Sequence, residues 1–310
     1  MLHFDEVLVK SSEVKRALNV SLPVVALEST VLTHGLPRPQ NLQLAHDMEH
    51  AVRELGATPA TIGFLDGHLH VGLNEAELTR LANEKEVYKV GPRDFAAVIT
   101  QGACGGTTVA GTMFACRQAN IKVFATGGIG GVHRESSFDI SADLQALATI
   151  PMIVVCAGAK AILDLPATLE YLETMSVPVI GYGTDEFPAF YSRESGLGVS
   201  LNLKEPGDIV EFAKAHWSMG LQSAVIVANP IPIAEAIPRS EMEPIIEQAS
   251  DEAKEKKIHG KELTPFLLQR ISELTQGKSM QANLSLLLNN ARLAARIAKA
   301  IRAFDRRRVI

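Results

Sequence analysis

Short apolar runs rich in β-branched residues recur along this chain, and they constrain its fold more than any other feature. The clearest are IKVFAT at 121–126 and MIVVCAG at 152–158, each ending at a glycine. Continuous apolar runs of this length are typical of parallel strands buried on both faces of a sheet. Similar runs lie at 23–28, 58–65, 177–183 and 223–230. Ligands are expected where such strands end, because open α/β sheets bind them at the carboxyl ends of their strands.

Helical patterns separate the predicted strands. Residues 40–55 place Leu44, Met48 and Val52 at helical spacing and are followed by Gly56, a residue type common after the last turn of a helix. Further helices are predicted at 167–175, 206–217, 242–257, 263–274 and 279–304. The alternation predicts an α/β fold with three layers, α/β/α, around a central sheet that is mostly parallel or mixed. Because no linker, repeat or break in composition divides the chain, residues 1–310 are expected to form a single domain.

The composition argues against several classes of protein. Hydrophobic residues make up 46% and charged residues 21% of the chain, and the net charge is -5, so no large basic surface is available for nucleic acid. No apolar run approaches the roughly 20 residues of a membrane-spanning helix. The first 20 residues have the character of neither a signal nor a transit peptide. Cys104, Cys116 and Cys156 form no CxxC pair, which favours buried thiols and a cytoplasmic location.

A glycine-rich segment, GGIGGVHR at 127–134, follows the predicted strand at 121–126. Free backbone N–H groups in such a loop can form a nest for a phosphate or a carboxylate. Close packing or a tight turn is the alternative explanation for the glycines. The segment is not a dinucleotide-binding fingerprint, because His133 stands where GxGxxG requires glycine.

Two side chains with catalytic potential follow predicted strands. Glu28 ends one strand, and it is a candidate either for ligand binding or for a structural role. Ser29 or Thr30 capping a following helix would explain part of this pattern without chemistry. Lys160 follows another strand, and an ammonium held against apolar neighbours has its charged form disfavoured, which makes such a lysine a candidate nucleophile. A lysine stem that merely covers apolar surface is the alternative.

Further charged residues suggest a metal or a phosphate. Asp139 and Asp143 are four residues apart and would face one site if they shared a helical turn, where they would offer hard oxygen ligands to Mn²⁺ or Mg²⁺. An N-cap followed by an acidic residue in the first turn describes the same letters equally well. Lys89 and Arg93 follow a short strand and can neutralise a phosphate dianion, although solvated surface charge is the commoner explanation.

These segments together resemble the pseudouridine-5′-phosphate glycosidase family, which also includes the indigoidine synthase A-like proteins. The resemblance covers positions 20 to 300, in family order, and an ordered set of motifs is far more specific than any one of them. The motifs are PVVALEST, HGLPRPQN, ATPATIGFLDG, GTTVAGTM, IKVFATGGIGGVHR, FDISADLQ, VVCAGAKAILD, EYLET, ANPIP, GKELTPFLL and the asparagine pair at 289 and 290.

The resemblance implies cleavage of the C–C bond between uracil C5 and ribose C1′ in pseudouridine 5′-phosphate, with Mn²⁺ as the typical metal. Glu28 matches the family's proton donor, Lys160 its nucleophile, which forms a Schiff base, and Asp139 its metal ligand. The positions that match or resemble substrate-binding members of the family's pocket are Lys89, Thr108, Val109, Thr126, His133, Ser141, Ala142, Asp143 and Asn283.

The resemblance also implies a homo-oligomer, in particular a homotrimer, that acts on a small molecule and not on nucleic acid or a membrane. Two other functions stay open from the sequence. One is a Schiff-base lyase or aldolase for another sugar phosphate, which would share the lysine and the phosphate site. The other is an accessory protein that binds a phosphorylated ligand without consuming it.

Overall fold

The computed structural model describes residues 4–134, 136–258, 260 and 263–307, and its central feature is a mixed sheet. The strands are β1 (Leu8–Lys10), β2 (Val24–Leu27), β3 (Thr58–Leu65), β4 (His68–Val71), β5 (Val87–Val90), β6 (Cys104–Thr107), β7 (Val123–Ala125), β8 (Val132–His133), β9 (Ser136–Ile140), β10 (Ile153–Cys156), β11 (Leu163–Asp164), β12 (Val179–Tyr182), β13 (Leu201–Leu203) and β14 (Val225–Ala228).

One helix precedes the first strand, and the others lie between the strands and after the last of them. They are α1 (Phe4–Val7), α2 (Ser12–Asn19), α3 (Gln40–Glu54), α4 (Glu75–Asn83), α5 (Phe95–Thr100), α6 (Val109–Ala119), α7 (Ala142–Thr149), α8 (Leu165–Thr174), α9 (Pro206–Ser218), α10 (Arg239–Glu255), α11 (Leu263–Leu274) and α12 (Lys278–Arg307). The predicted helices are all present, and each end lies within three residues of its expected position.

The main path of the sheet runs β1-β4-β3-β2-β7-β10-β14-β12-β13. Pairing is parallel from β3 through β13, and β3 pairs antiparallel with β4 and β6. Every residue of β2, β7, β10 and β14 is buried, as their continuous apolar sequences predict. One layer contains α3, α9 and α12, with α12 against β2, β7 and β10; α6 and α7 pack together in the other layer. The predicted three-layer α/β fold is confirmed.

Two strands, β2 and β6, pair with the same edge of β3, one after the other. Val24 to Leu27 pair with the first half of β3, and β6 pairs with Gly63 and Phe64 in the second half. Glu28 therefore lies where one strand stops and the next begins. β5 pairs with the far side of β6 and places Lys89 opposite Gly106.

A small antiparallel sheet, in the order β11-β8-β9, follows the ends of β7 and β10. It carries His133 on β8 and Asp139 on β9. Within the described ranges, no helix combines the length and the apolar character needed to cross a membrane. The three cysteines are buried and unpaired, as expected, and burial raises the pKa of the Cys156 thiol to about 12.

Candidate active site

Glu28 is a buried carboxyl group at the carboxyl end of β2, with 8% of its surface exposed. The hydroxyl of Thr126, at the end of β7, donates a hydrogen bond to Glu28 Oε1. Burial raises the pKa of Glu28, and the attraction of Lys160 and the hydrogen bond from Thr126 oppose this rise only in part. Glu28 therefore keeps its proton to a higher pH than an exposed glutamate, which suits a proton donor.

Ser29 and Thr30 hold the end of β2 in place, and neither side chain forms a helix-capping hydrogen bond. The Ser29 hydroxyl donates to Ile62 O at 2.5 Å and accepts from Thr107 N at 3.0 Å, while the Thr30 hydroxyl donates to Gly106 O at 3.2 Å. The π-helical turn that follows, Val31–Gly35, has no side-chain cap. The capping explanation for these residues is therefore wrong, because their hydroxyl groups join β2 to β3 and β6.

Lys160 reaches the same site from the end of β10. The chain beyond β10 runs beside the glycine-rich loop, since Ala159 forms a bridge with Ile129 and Lys160 N donates to Ile129 O at 3.0 Å. Lys160 lines one cavity with Glu28, and its charge lowers the pKa of that carboxyl group. The sheet thus brings together the two catalytic candidates although 132 positions separate them.

Several backbone N–H groups of the glycine-rich loop already have hydrogen-bond acceptors within the protein. Ile129 N donates to Gly158 O at 3.1 Å, Gly130 N to Asp143 Oδ2 at 2.9 Å, and Val132 N to Thr168 Oγ1 at 3.0 Å. These amides are consequently not available to a ligand.

Packing explains several of the glycines. A Cβ at Gly128 would lie 2.7 Å from the Phe190 ring, and one at Gly131 would lie 2.3 Å from Thr168 Oγ1. Gly127 and Gly128 nevertheless line the cavity. Each interpretation of the loop therefore applies to a part of it. Close packing explains the glycines from Gly128 onward, and the start of the loop lies where a ligand in the cavity could reach it.

Asp143 joins the glycine-rich loop to the start of α6. Its Oδ1 accepts from Ala110 N at 2.9 Å and its Oδ2 from Gly130 N at 2.9 Å, and the residue is only 5% exposed. Ser141 is the N-cap of α7 and accepts from Asp143 N at 3.2 Å. Both oxygens of Asp143 are thus engaged by the backbone, and its charge helps to raise the pKa of Glu28.

Asp139 lies on β9, outside the helix that contains Asp143. The interpretation in which the two aspartates share a helical turn is therefore wrong, and the N-cap with an acidic first turn is correct for Ser141 and Asp143. The Asp139 residue is exposed. No cluster of three or more His, Cys, Asp or Glu side chains suited to a metal exists in the part of the chain that the structure describes.

The cavity around Glu28 and Lys160 contains about 540 Å³ of space not filled by protein atoms, part of it open to solvent. Of the predicted site residues, it is lined by Glu28, Lys89, Lys160 and Asn283. The other predicted residues support it or lie beyond it; they are Thr108, Val109, Thr126, His133, Asp139, Ser141, Ala142 and Asp143.

The start of α6 is one such supporting element. Thr108 is its N-cap and accepts from Gly111 N at 3.2 Å. Val109 is only 1% exposed, so it lies behind the cavity wall and not in its lining. Arg93, the second predicted phosphate ligand, has a side chain that is 79% exposed, which favours the interpretation as surface charge.

Several residues of the cavity had no assigned role from the sequence. They are Thr30, Val31, His34, Gly35, Phe190, Thr264, Pro265, Leu268 and Leu287. His34 belongs to the motif HGLPRPQN, and the first residues of α11 belong to the motif GKELTPFLL. These motifs marked both segments as part of the family pattern, but they did not indicate which of their residues would face the cavity. A second cavity, with about 1040 Å³ of space not filled by protein atoms and part of it open to solvent, shares five residues with the first: His34, Gly35, Pro265, Leu268 and Asn283.

Comparisons with known proteins show the family to which the chain belongs. Residues 13–300 match the family model described as indigoidine synthase A like protein. The chain is 56% identical over 295 residues to the pseudouridine-5′-phosphate glycosidase of Paracoccus denitrificans, covering 94% of this chain and 97% of that one. It is 53% identical over 290 residues to the enzyme of the same name from Caldanaerobacter subterraneus subsp. tengcongensis, covering 93% and 94%.

Two solved structures share the fold. The prealnumycin C-glycosynthase AlnA, crystallised with ribulose 5-phosphate, has a TM-score of 0.90 and 38% identity, with 98% of this chain and 99% of that chain covered. An indigoidine synthase A-like protein from Thermotoga maritima has a TM-score of 0.89 and 36% identity, with 97% and 98% covered.

Proposed function

Because this chain belongs to the indigoidine synthase A-like family, we propose that it cleaves the C–C glycosidic bond of pseudouridine 5′-phosphate to give uracil and ribose 5-phosphate. The observation that carries the proposal is the meeting of Glu28 and Lys160 in one cavity at the carboxyl ends of β2 and β10. Relatives with more than half of their residues identical bear the name of this activity. The complex of AlnA with ribulose 5-phosphate supports a pentose phosphate as the sugar part.

The chemistry explains why a lysine is needed beside the acid. The leaving atom of pseudouridine is carbon, so protonation of an electronegative leaving atom cannot help as it does in ordinary glycosidases. In the proposed reaction, Glu28 gives its proton to O4′ as the ribose ring opens, and the neutral amine of Lys160 forms a bond to C1′. The Glu28 carboxylate takes the extra proton from the nitrogen, whose lone pair then expels uracil, and that proton passes to C5. Water hydrolyses the remaining iminium to ribose 5-phosphate and the free amine, and the proton that this step releases returns to Glu28.

The same cavity offers a site for the phosphate. Lys89 contributes a cation, and Gly127 and Gly128 form the wall beside it. The charge of Lys89 also lowers the pKa of Glu28, which indicates that the ammonium of Lys89 lies close to the carboxyl group of Glu28. A bound phosphate dianion would neutralise Lys89 and thereby help Glu28 to keep its proton.

We also propose that Asp139 holds a divalent cation, Mn²⁺ or Mg²⁺. The residue offers a hard carboxylate oxygen, and its exposure leaves room for the water ligands that such ions retain when one carboxylate binds them. When bound, the cation would supply positive charge and ordered water at the site. Asp139→Asn should abolish the response of activity to added Mn²⁺ while folding is retained; full activity of the unaltered chain in a chelator would refute the metal proposal.

The central experiment is reductive trapping. The chain is mixed with ribose 5-phosphate and borohydride, and the modified residue is found by mass spectrometry, while release of uracil from pseudouridine 5′-phosphate is followed by absorbance. We expect an adduct on Lys160 and loss of both adduct and turnover in Lys160→Ala. Lys122→Ala, at an exposed lysine, is the control and should behave as the unaltered chain does. Turnover that survives in Lys160→Ala would remove this lysine from the mechanism.

The same assays decide between the alternative functions. A lyase or aldolase for another sugar phosphate would form the lysine adduct without releasing uracil. An accessory protein would leave pseudouridine 5′-phosphate unchanged after prolonged incubation.

A homotrimer in the cytoplasm is proposed from the family resemblance, and light scattering of the purified chain would measure its mass in solution.

A further inference from the structure

Two adjacent asparagines, Asn289 and Asn290, lie in the middle of α12, and the proposed mechanism assigns no role to either. The same helix carries Asn283 and Leu287 to the lining of the cavity, and Asn290 follows them at helical spacing. Asn290 is completely buried. Asparagine is one of the poorer helix formers, and burial of an amide is costly unless the amide is hydrogen-bonded. The physical reason for an asparagine at this position must therefore lie in the contacts of its side chain.

The side-chain amide of Asn290 connects the ends of two strands. Its Nδ2 donates to Thr126 O at 2.8 Å and to Gly127 O at 3.4 Å, directly after β7. Its Oδ1 accepts from Asn229 Nδ2 at 2.9 Å, directly after β14. A carbonyl oxygen can only accept, so the group of Asn290 that faces Thr126 and Gly127 must be the NH₂ group. The orientation of the Asn290 amide is thus determined by its partners.

Gly127 allows α12 to approach the loop after β7 closely. A Cβ at this position would lie 3.2 Å from Leu287 Cδ2, a distance at which the helix side chain would have to move away. The strand β10 holds the same piece of backbone, because Thr126 N donates to Val155 O at 3.0 Å and Ala157 N donates to Gly127 O at 2.8 Å. The backbone of Thr126 is therefore fixed both by β10 and by the amide of Asn290.

Thr126 in turn contacts the acid of the site, since its hydroxyl donates to Glu28 Oε1. Both residues are buried, so water does not compete with this hydrogen bond as it would at the surface. Burial raises the pKa of Glu28, and the hydrogen bond from Thr126 is one of the interactions that oppose the rise. Threonine has few staggered side-chain positions, so the direction of its hydroxyl follows from the position of its backbone. A shift of this backbone would consequently move the hydroxyl away from Glu28.

We propose that Asn290 is a positioning residue for the proton donor: it holds the backbone of Thr126 where the Thr126 hydroxyl bonds Glu28, and Asn229 fixes the orientation of the Asn290 amide. The inference rests on the proposed function and adds to it a buried network that reaches the acid from α12. A carboxyl group held through one oxygen cannot turn freely about its last bond. The network therefore keeps Glu28 in one orientation toward the sugar, which proton transfer to O4′ requires.

The first test is the variant Asn290→Leu, which keeps a similar side-chain volume and removes the amide. The kcat for pseudouridine 5′-phosphate should fall about 10- to 100-fold, because proton transfer is sensitive to small displacements of the acid. The KM should change little, since Asn290 does not line the cavity. Borohydride trapping of ribose 5-phosphate on Lys160 should reach the same final yield as in the unaltered chain, because the network leads to the acid and not to the lysine.

A double-mutant cycle with Thr126→Val separates a positioning role from a merely structural one. Thr126→Val alone removes the hydroxyl and should lower kcat about as much as Asn290→Leu does. If Asn290 acts through this hydroxyl, adding Asn290→Leu to Thr126→Val should lower kcat by no more than about twofold further. Independent effects would multiply instead. Urea unfolding of all three variants shows whether each is folded.

Asn229→Ala provides a second variant with a smaller disturbance of the core, and it decides the question if Asn290→Leu does not fold. It leaves Asn290 in place but removes the partner of its Oδ1, so kcat should fall about three- to tenfold. This effect should also disappear when Thr126 is replaced by valine.

The matched control is Asn289→Leu, at the neighbouring position of the same helix. Asn289 Nδ2 donates to Pro230 O at 3.1 Å, so this variant loses a similar amide–carbonyl hydrogen bond to a strand end, but none that leads to Glu28. Its kcat should equal that of the unaltered chain.

Three results would overturn the positioning role of Asn290. They are an unchanged kcat in folded Asn290→Leu or Asn229→Ala, effects that multiply with the effect of Thr126→Val, and an equal loss of kcat in Asn289→Leu. Failure of the proposed function is recognised separately, because the unaltered chain itself would then release no uracil from pseudouridine 5′-phosphate, and the positioning role would be refuted with it.

Discussion

The substitution Asp143→Asn tests how the site is held together. The carboxylate joins two segments that are distant in sequence, since it accepts from Ala110 N and from Gly130 N, each at 2.9 Å. Hydrogen bonds to a charged group contribute about 1.5–3 kcal/mol each. Asparagine keeps one neutral hydrogen bond, worth about 1 kcal/mol, and turns its NH₂ group toward the other N–H. The expected decrease in the free energy of unfolding is therefore about 3 kcal/mol.

Urea unfolding at pH 7 measures this difference, with the fluorescence of Trp217, the one tryptophan of the chain, as the signal. The matched control is Asp251→Asn on α10, because the Asp251 side chain is 71% exposed and, within the described part of the chain, its ion pair is with Lys254 at 3.0 Å. The control should change the free energy of unfolding by about 0.5 kcal/mol or less. If the two variants were equally stable at the same protein concentration, the carboxylate would not hold the loop to α6.

Two further predictions follow from the same region. In the folded chain Glu28 keeps its proton at pH values where the same residue in the unfolded chain has lost it. The free energy of unfolding should therefore fall as the pH rises from 4.5, the ordinary pKa of glutamate, through the raised pKa of folded Glu28. The fall should be about 1.4 kcal/mol for each pH unit by which the pKa is raised. Glu28→Gln lacks this dependence, so urea unfolding between pH 4.5 and 8 should show a widening gap; parallel curves would contradict it. Gly130→Ala places a Cβ 2.2 Å from Ser141 Oγ and should lower the free energy of unfolding by at least about 1–3 kcal/mol. In the control, Gly207→Ala, the added Cβ meets no atom within 4 Å, so this variant should be as stable as the unaltered chain or slightly more stable. Equal melting temperatures for the two variants would refute this reasoning.

The strands and helices were predictable because their signals are local. β3 occupies 58–65 as expected, and β2, β7 and β10 lie inside the predicted apolar runs, with one to three residues at the ends passing into loops. A strand buried on both faces needs a continuous apolar sequence, and a helix with one buried face needs apolar residues at its own period. These requirements are met within a few residues of chain. Glu28 and Lys160 could be selected for the same reason, because each follows such a strand.

The aspartates show where local signals stop. Asp143 is four positions after Asp139, a spacing that one helical turn would allow, yet β9 ends at Ile140 and α7 begins at Ala142. The small sheet decides this: β9 pairs with β8, and β8 is held in turn by Leu163 and Asp164 of β11, about 30 positions further along the chain. Partners at such separations are not specified by the period of the sequence.

By itself, the sequence determined the α/β class, the positions of most elements and the residue types from which a site could be built. Only the tertiary structure decided that β2 yields its place beside β3 to β6, that Asp143 serves the backbone of Ala110 and Gly130, and that His34 faces a cavity shared with Asn283. The physical reason is that periodicity and burial act on neighbours along the chain, whereas strand order and buried polar contacts depend on segments that meet only after folding.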